Sequence, residues 1–188
     1  MKKKLILFIT TLFLLTGCMK YEELNSLSII SNITISIKEG KYNISMQEII
    51  PSKKEDGISY TYKYRQSNAK NLEDAIKKIT NHSPKTIYLK KVQNIIISST
   101  NKEKITKEFI EYYKKNKNKI NKHCSLVIAK NDLTKIVKVN SDYKYIDSIL
   151  KKKKILLKDT NKKEKIKIPE IKISNKELIF TRYYTIQI

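Results

Sequence analysis

The segment that most constrains the fold spans residues 27–48, where apolar residues recur at every second position on both sides of one glycine. Successive side chains of a β-strand point to opposite faces of a sheet, so this period of two predicts two strands that each bury one face. Gly40 lies between them and supplies the backbone conformation of a tight turn, which predicts a β-hairpin. The alternating apolar residues are Ile29, Ile33, Ile35 and Ile37 before the turn, and Tyr42, Ile44 and Met46 after it.

A third strand is predicted for residues 58–65, after a loop that contains proline and glycine over residues 51–57. This strand carries Tyr60, Tyr62 and Tyr64 on one side. A tyrosine row of this kind is either an exposed binding stripe or a half-buried face of a sheet. The second arrangement is the commoner one, and we expect it here.

Two later segments have the helical period. The first spans residues 69–80, and the second begins at a capping-box pattern in residues 100–103. Their expected buried residues are Leu72, Ala75, Ile76 and Ile79 in the first helix, and Ile105, Phe109, Ile110 and Tyr113 in the second. Short strands are predicted at residues 86–89, 92–98 and 123–130, and a short helix or turn at 132–139. Together these elements predict an α+β fold, with a mixed β-sheet flanked by two main helices.

The first eighteen residues have the composition of an export signal. Three lysines precede a mostly apolar run over residues 5–15, and Thr16, Gly17 and Cys18 follow. A membrane-spanning helix needs about 20 apolar residues, whereas the apolar core of a secretory signal has roughly 7–15. We therefore predict that residues 1–17 are a cleaved signal peptide.

Residues 15–18 resemble the lipobox of bacterial lipoproteins, in which small residues precede the cysteine that becomes the new amino terminus. The resemblance implies that Cys18 carries a diacylglycerol thioether and a further acyl chain such as palmitate. Two or three acyl chains on one residue make a durable membrane anchor. The alternative is an ordinary signal peptide that happens to contain a cysteine. The basic start, the short apolar run and the small residues coincide at the spacing of a lipobox, which favours the lipid anchor.

The formal net charge is +22, and +19 remains once the three lysines of the signal are removed. A strongly basic chain often binds nucleic acid, but an exported, membrane-tethered protein meets little of it, so we expect no nucleic-acid partner. An AT-rich genome that favours Lys, Asn and Ile codons accounts for much of the excess. Contact of the basic surface with anionic lipid headgroups is a further possibility, since each nearby lysine adds about 1 kcal/mol to such binding.

Few residues are suited to catalysis or metal binding. After acylation of Cys18, Cys124 is the one remaining thiol, so an internal disulfide is excluded. His82 and His123 are the only histidines, too few ligands for a zinc site. His123 and Cys124 are adjacent and would face opposite sides of a strand, while His82 is a conceivable but unsupported base for the thiol. We expect no metal, no cofactor and no enzymatic activity.

Composition changes after residue 150. Residues 151–167 contain nine lysines against Asp159 and Glu164, which is typical of a linker or a mobile basic arm. Two strands are predicted after it, at residues 166–173 and 177–188, where a second, truncated domain would begin. The expected division is therefore a signal peptide at 1–17, an anchor and lead at 18–26, an α+β domain at 27–150, and a basic linker with the start of a second domain at 151–188.

The ordered elements resemble the N-terminal domain of the GerAC-type spore germination lipoproteins, over residues 14–139. The run from Glu23 to Ile30 is similar to the segment that follows the lipobox in this family. Three later stretches resemble the second strand, the first helix and a buried strand of the family; they are residues 41–47, 71–75 and 126–130.

The resemblance implies a short member of this family, which forms the C subunits of the receptors that sense nutrients in dormant endospores. Such a subunit is non-catalytic and lipid-anchored on the outer face of the spore inner membrane, where it acts with the integral-membrane A and B subunits to trigger germination. Two alternatives remain at this point: an extracellular solute-binding or other surface lipoprotein, and a degenerate remnant. A solute-binding protein would have two similar lobes around a cleft.

Overall fold

A computed structural model describes residues 24–55, 57–130, 133, 144–150, 153–160, 163–175 and 177–188. The signal peptide, Cys18 and most of the helix or turn predicted at 132–139 lie outside the described residues. Within the described residues, no helix is long and apolar enough to cross a membrane.

The described chain forms nine strands, four α-helices and two short 3-10 turns at Leu24–Ser26 and Leu89–Lys91. The strands are β1 (Leu27–Lys38), β2 (Lys41–Lys54), β3 (Gly57–Ala69), β4 (Thr86–Tyr88), β5 (Asn94–Ser98), β6 (Ser125–Ala129), β7 (Ile155–Leu156), β8 (Lys165–Ser174) and β9 (Glu177–Gln187). The helices are α1 (Leu72–Asn81), α2 (Lys102–Lys115), α3 (Lys144–Leu150) and α4 (Leu157–Thr160).

The sheet is mixed, as predicted, and all nine strands belong to it. Its main order is β3-β2-β1-β5-β6-β8-β9, with β4 paired to β1 and β7 paired to β6. The centre is parallel, because β1, β5, β6 and β8 pair side by side in the same direction. Antiparallel strands complete both edges, where β2 and β3 follow β1 on one side and β9 follows β8 on the other. The central strands β5 and β6 are almost entirely buried, as expected for parallel strands covered on both faces.

The predicted hairpin is confirmed. Lys38 pairs with Lys41, so the turn between β1 and β2 has two residues, Glu39 and Gly40. Both have positive φ, at 50° and 70°, which is the backbone pattern of the turn that best matches the twist of the two strands.

Two apolar clusters cover the two faces of the sheet. The larger cluster contains Ile95 and Ile97 of β5 together with α1 and α2, and the smaller contains Ile96 with Ile146 and Leu150 of α3. Since neighbouring residues of a strand point to opposite faces, α1 and α2 lie on one face and α3 on the other. The apolar stripes predicted for the two main helices are buried in full.

The first strand departs from a simple alternation. The register between β1 and β2 is irregular between Ile30 and Asn32. Ile30 is therefore buried with Ile33 and Ile35, whereas Ile29, which the alternation placed on the buried face, is only half-buried. An irregularity of this kind shifts the phase of a strand by one residue, which a period count along the sequence does not detect.

The capping box predicted for α2 is also not formed. Asn101 occupies the N-cap with φ of 57°, and its side chain makes no capping hydrogen bond. A capping box requires an extended backbone at that position. The first helix is capped instead, because Asn71 Oδ1 accepts a hydrogen bond of 2.8 Å from the backbone N–H of Asp74.

The loop predicted at residues 51–57 is largely strand. β2 continues through Pro51 to Lys54, and β3 begins at Gly57, so that the connecting turn is short. β1 pairs with β2 only as far as Glu48, and beyond that point β2 has β3 as its partner. A proline fits a stretch with one open edge, because that edge does not need its N–H.

The largest difference concerns residues 151–188. Their described part completes the sheet, since Glu170 and Ile171 of β8 pair with Ile128 and Ala129 of β6. The two predicted strands are present, but Ile166 and Ile168 lie in the larger core cluster rather than in a separate domain. The lysines of this region alternate with isoleucines, as expected for a strand with one solvated face. The prediction of a linker rested on the number of lysines and not on their alternation.

We expect Ile168→Ala to lower the free energy of unfolding by about 2–5 kcal/mol, because it would open a cavity in the larger cluster. Ile168 is fully buried. The matched control is Lys167→Ala, at the exposed neighbouring position, which should change stability by less than about 0.5 kcal/mol. Urea unfolding of the full chain measures both. Equal, small effects would mean that β8 is not part of the core.

Candidate functional site

A row of polar side chains crosses five neighbouring strands on the face of the sheet that carries α3. Its members are direct cross-strand partners: Tyr64 of β3 pairs with Gln47 of β2, Gln47 with Asn32 of β1, Asn32 with Asn94 of β5, and Asn94 with Ser125 of β6. We call these five residues the polar row. Four of them are fully buried, and Tyr64 ends the row at the exposed edge of the sheet.

The side chains of the polar row form one continuous hydrogen-bonded chain. Ser125 Oγ donates to Asn94 Oδ1 at 2.6 Å, and Asn94 Nδ2 donates to Asn32 Oδ1 at 3.0 Å. Asn32 Nδ2 then donates to Gln47 Oε1 at 2.5 Å, and Gln47 Nε2 donates to the Tyr64 hydroxyl at 3.3 Å. Every donor points towards the β3 edge, so the amide dipoles align and strengthen one another in the low dielectric of the core.

This arrangement explains how amides are tolerated in an isoleucine-rich sheet. A buried amide without a partner costs several kcal/mol, whereas a hydrogen-bonded one costs little. Ser31 Oγ adds a further bond of 3.0 Å to Gln47 Oε1. The polar row was missed from the sequence because its members lie far apart along the chain. Asn32 and Asn94 inside apolar strands were the available signal.

A partly buried ion pair lies next to the polar row, on the neighbouring positions of β2 and β3. Arg65 Nη2 is 2.9 Å from Glu48 Oε2, and Arg65 Nε donates to the same oxygen at 3.0 Å. Arg65 Nε also lies 3.4 Å from Ser28 Oγ of β1. Removing one partner of such a pair would leave an unpaired buried charge. The pair therefore joins three strands at the point where β1 and β2 separate.

Beyond this point residues 49–54 of β2 and 57–62 of β3 continue as a two-stranded ribbon, which we call the arm. Six residues at about 3.3 Å each give the arm a length of about 20 Å. One face of the arm is mainly apolar and aromatic, and the other carries three hydroxyl side chains and one isoleucine. By cross-strand pairing the first face has Ile49, Pro51, Lys53, Ile58, Tyr60 and Tyr62, and the second has Ile50, Ser52, Ser59 and Thr61.

The tyrosine row is more exposed than predicted. Tyr62 is partly buried, but Tyr60 is 48% exposed and Tyr64 36% exposed, and Ile58 nearby is 67% exposed. The expectation of a half-buried face assumed that β3 lies against a layer of the core along its whole length. The outer half of β3 instead extends past the end of the pairing between β1 and β2.

The residues considered for chemistry are not brought together. Cys124 is fully buried, and burial raises the pKa of its thiol to about 12, so it is protonated at neutral pH. His123 is exposed beside it. His82 is exposed at the end of α1, where Nδ1 lies 2.8 Å from the carbonyl oxygen of Lys78. Among the described residues, no group of three or more His, Cys, Asp or Glu side chains could hold a metal ion.

An open depression of about 560 Å³ lies between α1, β4 and α2. Its lining combines Ile76, Ile87 and Tyr112 with lysine and asparagine side chains, and Glu73 is its one carboxylate. Burial, with a smaller contribution from Glu73, raises the pKa of Tyr112. The depression therefore lacks the paired carboxylates or activated nucleophile of a hydrolytic site.

We expect the effects of Asn32→Ala and Asn94→Ala on the free energy of unfolding to be coupled, because each substitution removes a hydrogen-bond partner of the other residue. Each single change should lower the free energy of unfolding by about 1–3 kcal/mol. The double variant should lose less than the sum, by at least about 0.5 kcal/mol. Urea unfolding of the unchanged protein, the two single variants and the double variant measures this coupling. A control cycle pairs Asn32→Ala with Asn68→Ala, an exposed residue of β3, and should be additive. Additivity in both cycles would contradict the hydrogen-bonded row.

Comparison with known proteins agrees with the resemblance noted in the sequence. A search of curated proteins and a search of solved structures each found no match. A family model described as the spore germination protein N-terminal domain matches residues 20–167, about four fifths of the chain. The match begins two residues after Cys18 and ends inside β8, so it includes the polar row, the arm and both main helices. The chain therefore belongs to the spore germination protein family and carries its N-terminal domain.

Proposed function

We propose that this protein is a lipid-anchored, non-catalytic subunit of a nutrient germinant receptor of the spore. It acts beside integral-membrane A and B subunits and helps to trigger germination. The observation that carries the proposal is the family match, which starts directly after the lipobox and extends over most of the chain. Family membership supports a role in germination, and the lipobox adds the mode of attachment to the membrane.

Attachment through Cys18 follows from the leader. The thiol is the group that forms a stable thioether with diacylglycerol, and multiple acyl chains hold a protein on a bilayer far longer than one chain does. Five residues separate Cys18 from Leu24, where the described structure begins. At full extension the six steps from Cys18 to Leu24 span about 20 Å. The folded domain would therefore lie close to the outer face of the spore inner membrane.

A non-catalytic role is supported by the positions of the residues that could do chemistry. The thiol of Cys124 is inside the core with a pKa of about 12, far from the range of a reactive cysteine. The two histidines are on the surface, and neither forms a hydrogen bond with that thiol among the described contacts. The role of such a subunit would then be binding to lipid and to its receptor partners.

The test is a complementation series in a sporulating strain that has no redundant receptor. Deletion of the gene should abolish the nutrient response, the unchanged gene should restore it, and Cys18→Ala should not, because the protein without a thioether leaves the membrane. Metabolic labelling with a fatty-acid analogue should mark the unchanged protein and the control Cys124→Ala, but not Cys18→Ala.

Two outcomes would contradict this proposal. A normal nutrient response in spores of the deletion strain would exclude the receptor role. Equal labelling of the Cys18→Ala protein would exclude the lipid anchor at that residue, independently of any effect on germination.

A further inference from the structure

The arm lies at the same end of the sheet as the start of β1. β1 and β2 are antiparallel, so the end of β2 lies where β1 begins. Ile30 pairs with Glu48, and continuing that register would place Leu27 level with Pro51. The tip of the arm at Lys54 therefore extends about three residues, or about 10 Å, past the first residue of β1. The first residue of β1, nine positions after Cys18 in the sequence, is therefore also at this end.

The opposite hairpin points the other way. β8 is parallel to β6, β5 and β1, so the turn that joins β8 to β9 lies at the far end of the sheet. Ile179, near that turn, is exposed to 36%. The chain thus has two hairpins with exposed apolar side chains at opposite ends, and one of them is on the side of the proposed lipid anchor.

The composition of the arm fits the interface of a bilayer. The exposed apolar face presents Ile58 and Tyr60, and exposed lysines lie at the tip and the base of the arm, at Lys53 and Lys63. Tyrosine has an apolar ring with a polar hydroxyl, and lysine extends its ammonium group to the headgroups, which is why both are enriched at membrane interfaces. The opposite face of the arm is more polar, with Ser52 Oγ and Ser59 Oγ hydrogen-bonded across the strands at 2.6 Å, although it also carries the exposed side chain of Ile50.

We propose that the arm is a second membrane contact, and that its aromatic face enters the headgroup region of an anionic bilayer. This inference rests on the proposed lipid anchor, which brings the bilayer to this end of the sheet. The anchor alone is a single point of attachment, about which the domain could rotate. A second contact about 20 Å long restricts that rotation and presents one defined side of the domain to the integral-membrane partners.

The experiment uses a single tryptophan as a depth probe, because the chain has no native tryptophan. Tyr60→Trp and the matched control Ile179→Trp are produced as full, acylated chains and reconstituted into vesicles of phosphatidylcholine with phosphatidylglycerol. Flotation measures attachment, and quenching by lipids with brominated acyl chains measures contact with the bilayer. Ile58→Trp repeats the measurement at a second position of the arm in case Tyr60→Trp disturbs folding, which the thermal melt of each variant reports.

Both arm variants should show a blue-shifted emission and strong quenching by brominated lipid. The blue shift and the quenching should each be smaller when phosphatidylglycerol is omitted. The Ile179→Trp emission should be the same with and without vesicles and should not be quenched by brominated lipid. If the arm variants float with the vesicles but are no more quenched than Ile179→Trp, the arm contact is overturned and the lipid anchor is not. Failure of the unchanged chain to float would overturn both.

Three further outcomes identify other occupants or orientations, and each overturns the proposal. A blue shift that disappears as the protein is diluted into excess lipid would assign the arm to a second copy of this chain. A shift seen only in membranes that contain the integral receptor subunits would assign it to a protein partner. Equal quenching of Ile179→Trp would mean that the domain has no fixed orientation on the bilayer.

Discussion

The polar row is the interaction on which the sheet depends. β5 contains three consecutive isoleucines, so both of its faces carry isoleucine and hydrophobic burial alone does not specify its register. A slip of two residues against β1 would still place isoleucine beside isoleucine. It would, however, separate Asn94 from Asn32 and leave buried amide groups without partners. The cost of those unpaired groups selects one register over its neighbours.

The same row connects the core to the arm. It ends at Tyr64, and the next tyrosine on that face of β3 already belongs to the ribbon that leaves the sheet. The Glu48–Arg65 ion pair closes the base of the ribbon on the opposite face. The direction of the arm is thus set by hydrogen-bonded groups at its base, although Ile58 and Tyr60 of the arm itself are exposed. Residues that mediate binding are commonly carried in this way, on a projecting segment held by a rigid base.

Local features of the sequence predicted local structure well. The period of two and Gly40 located the first hairpin, and the helical period located both main helices and their buried stripes. Features that depend on distant partners were missed. Asn32 and Asn94 are 62 residues apart, and no local pattern indicates that they are hydrogen-bonded. The place of β8 in the core was missed because a high lysine content suggested a linker, whereas those lysines occupy the solvated side of an alternating strand. Exposure of Tyr60 depended on where β1 stops pairing with β2, which is a tertiary property.

The central claim is that the strands on both sides of the polar row form one cooperative sheet that carries the arm at the anchor end. Native-state amide hydrogen exchange of the full chain, followed strand by strand, tests it most directly. We predict that the buried amides of β1, β5, β6 and β8 exchange with one common free energy, equal to that of global unfolding, and that residues 51–60 of the arm exchange by local opening at a lower value. Exchange of β8 and β9 together at a clearly lower free energy than β1 and β5 would contradict the claim, because it would make them a separate unit.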